Sequence, residues 1–178
     1  DETLHFNGKS TLISLQNGGG KSVLVQMLTA PFVHPKYRNT KDRLFESYFT
    51  TNKPSFILVE WALDQGAGYV LTGLMVRKSQ DMEEDRKENL DIIGIVSEYQ
   101  SPCIQDIHHL PVVEKGKKEM ILKNFNSCRQ LFETYKKDRD MKFFYYDLTN
   151  YAQSRQYFNK LMEYQINYKE WETIIKKI

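Results

Sequence analysis

The clearest hydrophobic pattern in the chain is a pair of β-rich runs, residues 55–63 and 69–77, separated by Asp64-Gln65-Gly66-Ala67-Gly68. Runs dense in Phe, Ile, Leu, Val, Trp and Tyr on either side of a glycine-bearing connection predict an antiparallel hairpin. A further strand is predicted over 91–99 and a buried one over 142–147. Upstream, the short apolar run 11–15 also reads as a strand. Helical spacing takes over elsewhere. A helix is predicted from Lys21 to about residues 29–30, because Pro31 disfavours helix in the residue before it. Another is predicted over 41–49 behind Thr40 as N-cap, with Leu44, Phe45 and Tyr48 near one face. Residues 127–138 place Cys128, Leu131, Phe132 and Tyr135 three and four apart. Thr149 is the predicted cap of a helix to about 164, with Tyr157, Phe158, Leu161 and Met162 on its apolar side. Asn167 caps a last helix from Tyr168, with Trp171, Ile174, Ile175 and Ile178 facing inward.

Between these elements the chain is polar. Residues 78–89 are nearly all charged or amide side chains, which predicts a solvent-exposed, mobile loop extending to about 91. Residues 101–113 contain two prolines, and 114–119 read as a charged, turn-like link. The adjacent His108 and His109 would point to opposite sides of a strand, and no third ligand with fitting spacing lies nearby. Aromatic density near the end of the chain is accounted for by core packing rather than base stacking.

Composition sets the class. The 178 residues suit one domain with a sizeable core, and 40% apolar with 27% charged residues excludes a disordered or fibrous chain. A net charge of +2 is too small to argue for nucleic acid by bulk electrostatics. Cys103 and Cys128 lie far apart, outside any Cys-x-x-Cys pattern, which points to a reduced, cytoplasmic chain. No run approaches the roughly 20 apolar residues that span a bilayer, and no leader is evident, so neither membrane insertion nor secretion is expected. Residue 1 is Asp and a helical pattern is still running at Ile178, so both ends read as cut from something longer.

The chemistry is concentrated in Asn17-Gly18-Gly19-Gly20-Lys21-Ser22-Val23, between the apolar run 11–15 and the helix that opens at Lys21. Strand, glycine loop and helix in that order are what a phosphate-binding loop requires. Glycines let consecutive backbone N–H groups turn inward without Cβ clashes, and the helix N-terminus adds donors and a favourable dipole. Lys21 supplies a point charge for the β/γ-phosphates, and the Ser22 hydroxyl is the expected Mg²⁺ ligand. The full pattern G-x-x-x-x-G-K-[ST] would have glycine at position 15, where this chain has Leu15.

Within that motif, Asn17-Gly18-Gly19-Gly20-Lys21-Ser22 resembles the N-G-x-G-K-S of ABC-type ATPases, most closely the SMC-like (structural maintenance of chromosomes) and DNA-repair class. The resemblance covers roughly residues 1–77. Residues 2–6 and 11–15 fall where that family has a short strand pair before the loop, and 55–77 where it has an antiparallel β layer. It implies an α/β fold with α+β features: a P-loop NTPase, ABC-type head lobe with an antiparallel β layer and a helical C-terminal part. Residues 1–178 would be one partial head domain, the N-terminal lobe. ATP and Mg²⁺ are the implied cofactors. The implied partners are the C-terminal half of the same head, a second head and, as a further possibility the family allows, DNA. In SMC-like heads the segment after the first helix can carry basic residues that touch DNA or nucleotide; Lys36, Arg38, Lys41 and Arg43 occupy it here, a solvated charged loop being the plainer reading.

The remaining parts of an ATPase are missing. No Leu-Ser-Gly-Gly-type signature occurs. The apolar run 56–59 ends in Glu60 rather than Asp and continues into Trp61, so it belongs to the hairpin. The run 143–146 ending in Asp147 is the nearest formal match to a Walker B strand, against a plain core strand ending at a turn. Gln100 and Gln165 are both candidates for a Mg²⁺-sensing glutamine, and the residues do not separate them. The family takes its Walker B aspartate, catalytic glutamate and signature from the C-terminal half of the head, so this lobe alone is expected to hydrolyse ATP poorly. Two other classes compete: a self-contained P-loop kinase or GTPase, and a non-enzymatic interaction domain that retains the loop as a relic.

Overall fold

The computed structural model describes residues 4–6, 8–80, 89–101, 112–116, 120–139 and 142–177. Its centre is a four-stranded, wholly antiparallel sheet, giving an α+β architecture. Strands β1 (Ser55–Ala62) and β2 (Tyr69–Lys78) form the predicted hairpin, with Ser55 opposite Val76 and Ala62 opposite Tyr69. Strand β3 (Leu90–Tyr99) pairs along the whole length of β2. A small separate hairpin follows, β4 (Val113–Lys115) with β5 (Met120–Leu122), where the sequence predicts only a charged link. Strand β6 (Phe143–Asp147) returns to the main sheet beside β3, so the order is β1-β2-β3-β6.

Among the described residues four α-helices accompany the sheet: α1 (Lys21–Thr29), α2 (Phe125–Lys137), α3 (Tyr151–Glu163) and α4 (Tyr168–Ile175). Asparagine side chains open the last three. Asn124, Asn150 and Asn167 each accept a backbone N–H from the first turn, which satisfies donors that a helix N-terminus leaves unpaired. Asn150 therefore takes the capping role predicted for Thr149. Thr149 instead donates its hydroxyl and its backbone N–H to the Asp147 carboxylate, 2.6 and 3.0 Å away.

Alternation along the strands splits the core into two faces. Val70, Leu74 and Val76 with Ile92 and Val96 lie against Phe32, Phe45, Phe49 and the α3 side chains Tyr157, Phe158 and Leu161. Leu71, Met75, Ile93, Ile95, Phe143 and Tyr145 lie against Phe125, Cys128 and Phe132 of α2. With both faces covered, β2 and β3 must be apolar at nearly every position, which is how their sequences read. Glycine is needed at two contacts in this sheet. A Cβ on Gly73 would come within 2.2 Å of the Ile57 carbonyl, and one on Gly94 within 2.7 Å of the Tyr157 ring.

Several expectations change once packing is known. Residues 11–15 form no strand; Leu12 is 93% exposed. A strand needs a neighbour for its peptide groups, and among the described residues no other segment pairs with this run, whose Thr11 hydroxyl donates only to the nearby Lys9 carbonyl at 3.2 Å. The helix predicted over 41–49 is reduced to a 3₁₀ turn, Phe45–Tyr48, because Asn39 Oδ1 takes the Phe45 N–H and Leu44 is turned out to solvent. Met162 and Ile174, predicted to face inward, are also exposed, because the apolar stripes of α3 and α4 are wider than the surface they cover. Lys78, Leu90 and Asp91 lie in strands rather than in the charged loop, whose residues 81–88 are outside the described residues together with Cys103, His108 and His109. Among the described residues no helix is long and apolar enough to cross a membrane.

Cys128 of α2 is fully buried against the sheet, and burial pushes its thiol up from 9.0 to about 11. The neutral thiol is therefore favoured by folding. Its contribution to stability is complete below the ordinary thiol range and is lost as pH rises through about 11. At pH 8 the native protein is expected to leave Cys128 unalkylated by iodoacetamide, with labelling following global unfolding in denaturant; rapid labelling without denaturant would contradict this packing.

Candidate functional site

The glycine loop sits at the N-terminus of α1, and its backbone alternates in conformation from residue to residue. Gly18 and Gly20 have φ of 82° and 80°, in the left-handed region, while Gly19 between them does not. Alternating backbone sign over consecutive residues turns successive N–H groups toward one side, the geometry of an anion-binding nest. The Gly19 N–H closes a turn onto the Gln16 carbonyl at 2.9 Å, and a Cβ on Gly19 would press to 2.9 Å from that same oxygen. All three glycines are therefore required, two by conformation and one by space. Gly20 is the N-cap of α1, and no side chain takes up the first-turn donors. Those donors, Lys21 and the Ser22 hydroxyl are exposed at the tip of the helix. Val23, in the same turn, is half-buried and seats the helix start.

The other end of α1 is anchored in the body. Gln26, almost wholly buried, donates through Nε2 to the Arg38 carbonyl at 2.6 Å and accepts the Tyr48 hydroxyl at 2.9 Å. Just beyond the helix, Tyr157 of α3 donates its hydroxyl to the Pro31 carbonyl at 2.9 Å. The helix is thus fixed at its C-terminal end and presents the loop outward. The chain after it is tied to α4 through His34, whose N–H and ring nitrogen both meet the Glu172 carboxylate while the ring packs on Phe158 and Tyr168.

This packing divides the basic cluster. Arg38 is 2% exposed; its Nε donates to the Ala30 carbonyl at 3.1 Å, and its guanidinium lies 5.9 Å from the Phe45 ring. It is an internal brace for the chain after α1, neither solvated nor placed to touch nucleic acid. Sequence position shows a cation but not which way it points. Lys36, Lys41 and Arg43 remain exposed, Arg43 over the Tyr48 ring.

The acidic and amide candidates are placed as follows. Glu60 is a β1 residue opposite Leu71 and accepts the Tyr99 hydroxyl. Asp147 ends β6, an antiparallel strand, and its carboxylate is engaged by Thr149 in a turn. Gln100 follows β3 beside Gly68, and Gln165, with φ of 61°, follows α3. Among the described residues no hydrogen bond or ion pair joins an acidic side chain to Lys21 or Ser22. The described residues contain no group of three His, Cys, Asp or Glu able to hold a metal. The loop thus brings backbone N–H groups, the Lys21 ammonium and the Ser22 hydroxyl together at the N-terminus of α1. No protein-family model, curated protein or solved structure matches the chain.

Proposed function

We propose that this chain binds ATP–Mg²⁺ through Asn17–Val23 as the N-terminal half of a composite, SMC-like ATPase head. The reading rests on one observation above all: left-handed Gly18 and Gly20 flank a close-packed Gly19, and the turn opens directly into α1 with Lys21 and Ser22 in its first turn. The backbone N–H groups of 18–22 and the α1 dipole would hold the phosphate oxygens, Lys21 would neutralise them, and Ser22 would ligate the metal. Bound nucleotide supplies the γ-phosphoryl group and its Mg²⁺ the charge neutralisation. Preference for ATP over GTP follows from the sequence resemblance.

The unpaired run 11–15 favours a composite head over a self-contained kinase or GTPase. In those enzymes the strand before the loop lies inside a sheet, and here the strand-forming run has no neighbour among the described residues. A C-terminal half of the head would pair with it and bring the acidic metal ligand and water-positioning group; a second head would complete the site. DNA repair, chromosome organisation or defence against foreign DNA are the processes such heads serve.

Binding to the native state alone must raise stability. At nucleotide a hundredfold above Kd the gain is about 2.7 kcal/mol, a rise in Tm of roughly 5–10 °C for a domain of this size. Thermal unfolding with millimolar ATP–Mg²⁺ is expected to show that rise, with negligible steady-state hydrolysis. An unchanged Tm would favour the relic loop, and sustained turnover would favour a self-contained enzyme.

A further inference from the structure

Asn17 and Gly18 stand at the two central positions of the turn that the Gly19 N–H closes onto the Gln16 carbonyl at 2.9 Å. Closing the turn through Gly19 leaves the Gly18 N–H outside that bond. Among the described residues neither this N–H nor the Asn17 carboxamide enters a hydrogen bond, and both residues are exposed. A Cβ built on Gly18 would meet nothing within 4 Å, so the space beside its backbone is open.

Other asparagines are held in place. Asn39 Oδ1 takes the Phe45 N–H at 2.8 Å, and the side chains of Asn124, Asn150 and Asn167 cap helices. Each of these four is followed by a residue with a side chain: Thr40, Phe125, Tyr151 and Tyr168. Asn17 differs on both counts, with an unengaged carboxamide among the described residues and a glycine next in the chain.

The carboxamide carbon of an asparagine is an electrophile, and the next peptide nitrogen can close a five-membered ring onto it. A side chain on that next residue crowds the approach, and glycine has none. Asparagine is for this reason one of the thermally labile residues. The Gly18 nitrogen gives up its proton to the solvent and attacks Asn17 Cγ. The new C–N bond forms as the Cγ–Nδ2 bond breaks, and ammonia leaves. Water then opens the cyclic imide at either carbonyl. Opening at the main-chain carbonyl gives isoaspartate, with the chain routed through Cγ; opening at Cγ gives aspartate. One ammonia is lost and one water taken up in hydrolysing the imide, with no oxidation or reduction.

We infer that Asn17-Gly18 is a self-modifying site, at which the empty loop loses the Asn17 amide and converts residue 17 to isoaspartate and aspartate. Isoaspartate adds a methylene to the main chain and leaves a carboxylate beside Gly18. The added carbon upsets the alternation over Gly18, Gly19 and Gly20 that turns N–H groups to one side, and the new charge repels an anion there. The loss of binding rests on the phosphate-binding reading above; the conversion itself does not. On that reading the Gly18 N–H that holds a phosphate oxygen is the same group that attacks Asn17. Bound nucleotide therefore withholds the nucleophile and protects the loop.

The test incubates the full chain in mildly alkaline buffer, with and without ATP–Mg²⁺, and follows it by peptide mass spectrometry. Without nucleotide, residue 17 is expected to show the mass gain of an amide turned to an acid, faster than in mildly acidic buffer. An isoaspartyl methyltransferase with S-adenosylmethionine should then methylate the freed α-carboxyl. Asn7-Gly8 is the same dipeptide, so the fragments are resolved to the residue. Asn39, Asn124, Asn150 and Asn167 should remain amides over the same time, and Asn17→Gln should keep its amide, because its longer side chain closes a ring more slowly. Nucleotide affinity is read separately, by calorimetry on fresh and on converted protein. Conversion is expected to weaken ATP–Mg²⁺ binding by about tenfold or more. Conversion in a protein whose fresh form binds no nucleotide would support the inference and sink the nucleotide reading alone. Residue 17 staying an amide while a blocked peptide of residues 14–22 converts would overturn the inference. So would equal conversion in protein that calorimetry shows to be saturated with nucleotide.

Discussion

Replacing Lys21 with alanine is expected to remove most of the nucleotide affinity while leaving the fold intact. Lys21 is exposed at the first turn of α1 and has no described hydrogen bond or ion pair with the rest of the chain, so its loss disturbs no packing. A charged hydrogen bond of this kind is worth about 1.5–3 kcal/mol, or roughly a 10- to 150-fold weaker Kd. Calorimetric titration of ATP–Mg²⁺ into the protein should give that loss, with Lys21→Ala unfolding at the parent Tm when nucleotide is omitted. Ser22→Ala is expected to act differently. It should bind nucleotide nearly as well without Mg²⁺ but gain little from adding the metal. A Lys21→Ala protein with undiminished affinity would show that the glycine turn is only a turn.

Gly73→Val is expected to be among the most destabilising single changes in the chain. The added Cβ would stand 2.2 Å from the Ile57 carbonyl and 2.9 Å from Leu58 Cα. These are backbone atoms of the paired strand, which cannot rotate away as a side chain tip does. Gly73 lies opposite Leu58 on one side and Ile95 on the other, so relief means opening the β1–β2 hairpin in the middle of the sheet. Overpacking of a core typically costs about 1–3 kcal/mol; a clash with backbone belongs at or above the top of that range. Equilibrium denaturation should show the midpoint falling by that amount. Gly94→Ala is the milder companion, because it meets the Tyr157 ring, which can tilt at the expense of its bond to Pro31. A Gly73→Val protein as stable as its parent would mean that the hairpin is paired in another register.

Much of the architecture was legible because local signals agreed with one another. The runs 55–63 and 69–77 could satisfy their backbone only by pairing, and the glycines between them permitted the turn. Residues 127–138 and 149–164 repeat apolar side chains every three or four positions, although the caps are Asn124 and Asn150 rather than Thr149. The glycine loop was legible for the same reason: glycines permit the left-handed turn that other residues resist, and the segment after Lys21-Ser22 marks where the helix begins. Arg38, the run 11–15 and the segment 41–49 were not legible. In each, the local pattern allowed the predicted state and packing decided otherwise: Arg38 turned in to the Ala30 carbonyl, Asn39 took the Phe45 N–H, and 11–15 found no pairing strand among the described residues.

Taken alone, the amino-acid order determined that this is a mixed helix-and-strand domain with an antiparallel hairpin and a glycine turn opening a helix, because those features depend on neighbours within a few residues. Only the tertiary structure decided which strands are adjacent, that both faces of the sheet are covered, and that α1 is held at Gln26 and Pro31 so that Gly18–Ser22 projects outward. Those outcomes depend on contacts from a dozen to well over a hundred positions apart, from Gln26 with Arg38 to Tyr157 with Pro31 and His34 with Glu172. Burial and hydrogen-bond partners at such distances are set by how the elements stack, which no local spacing records.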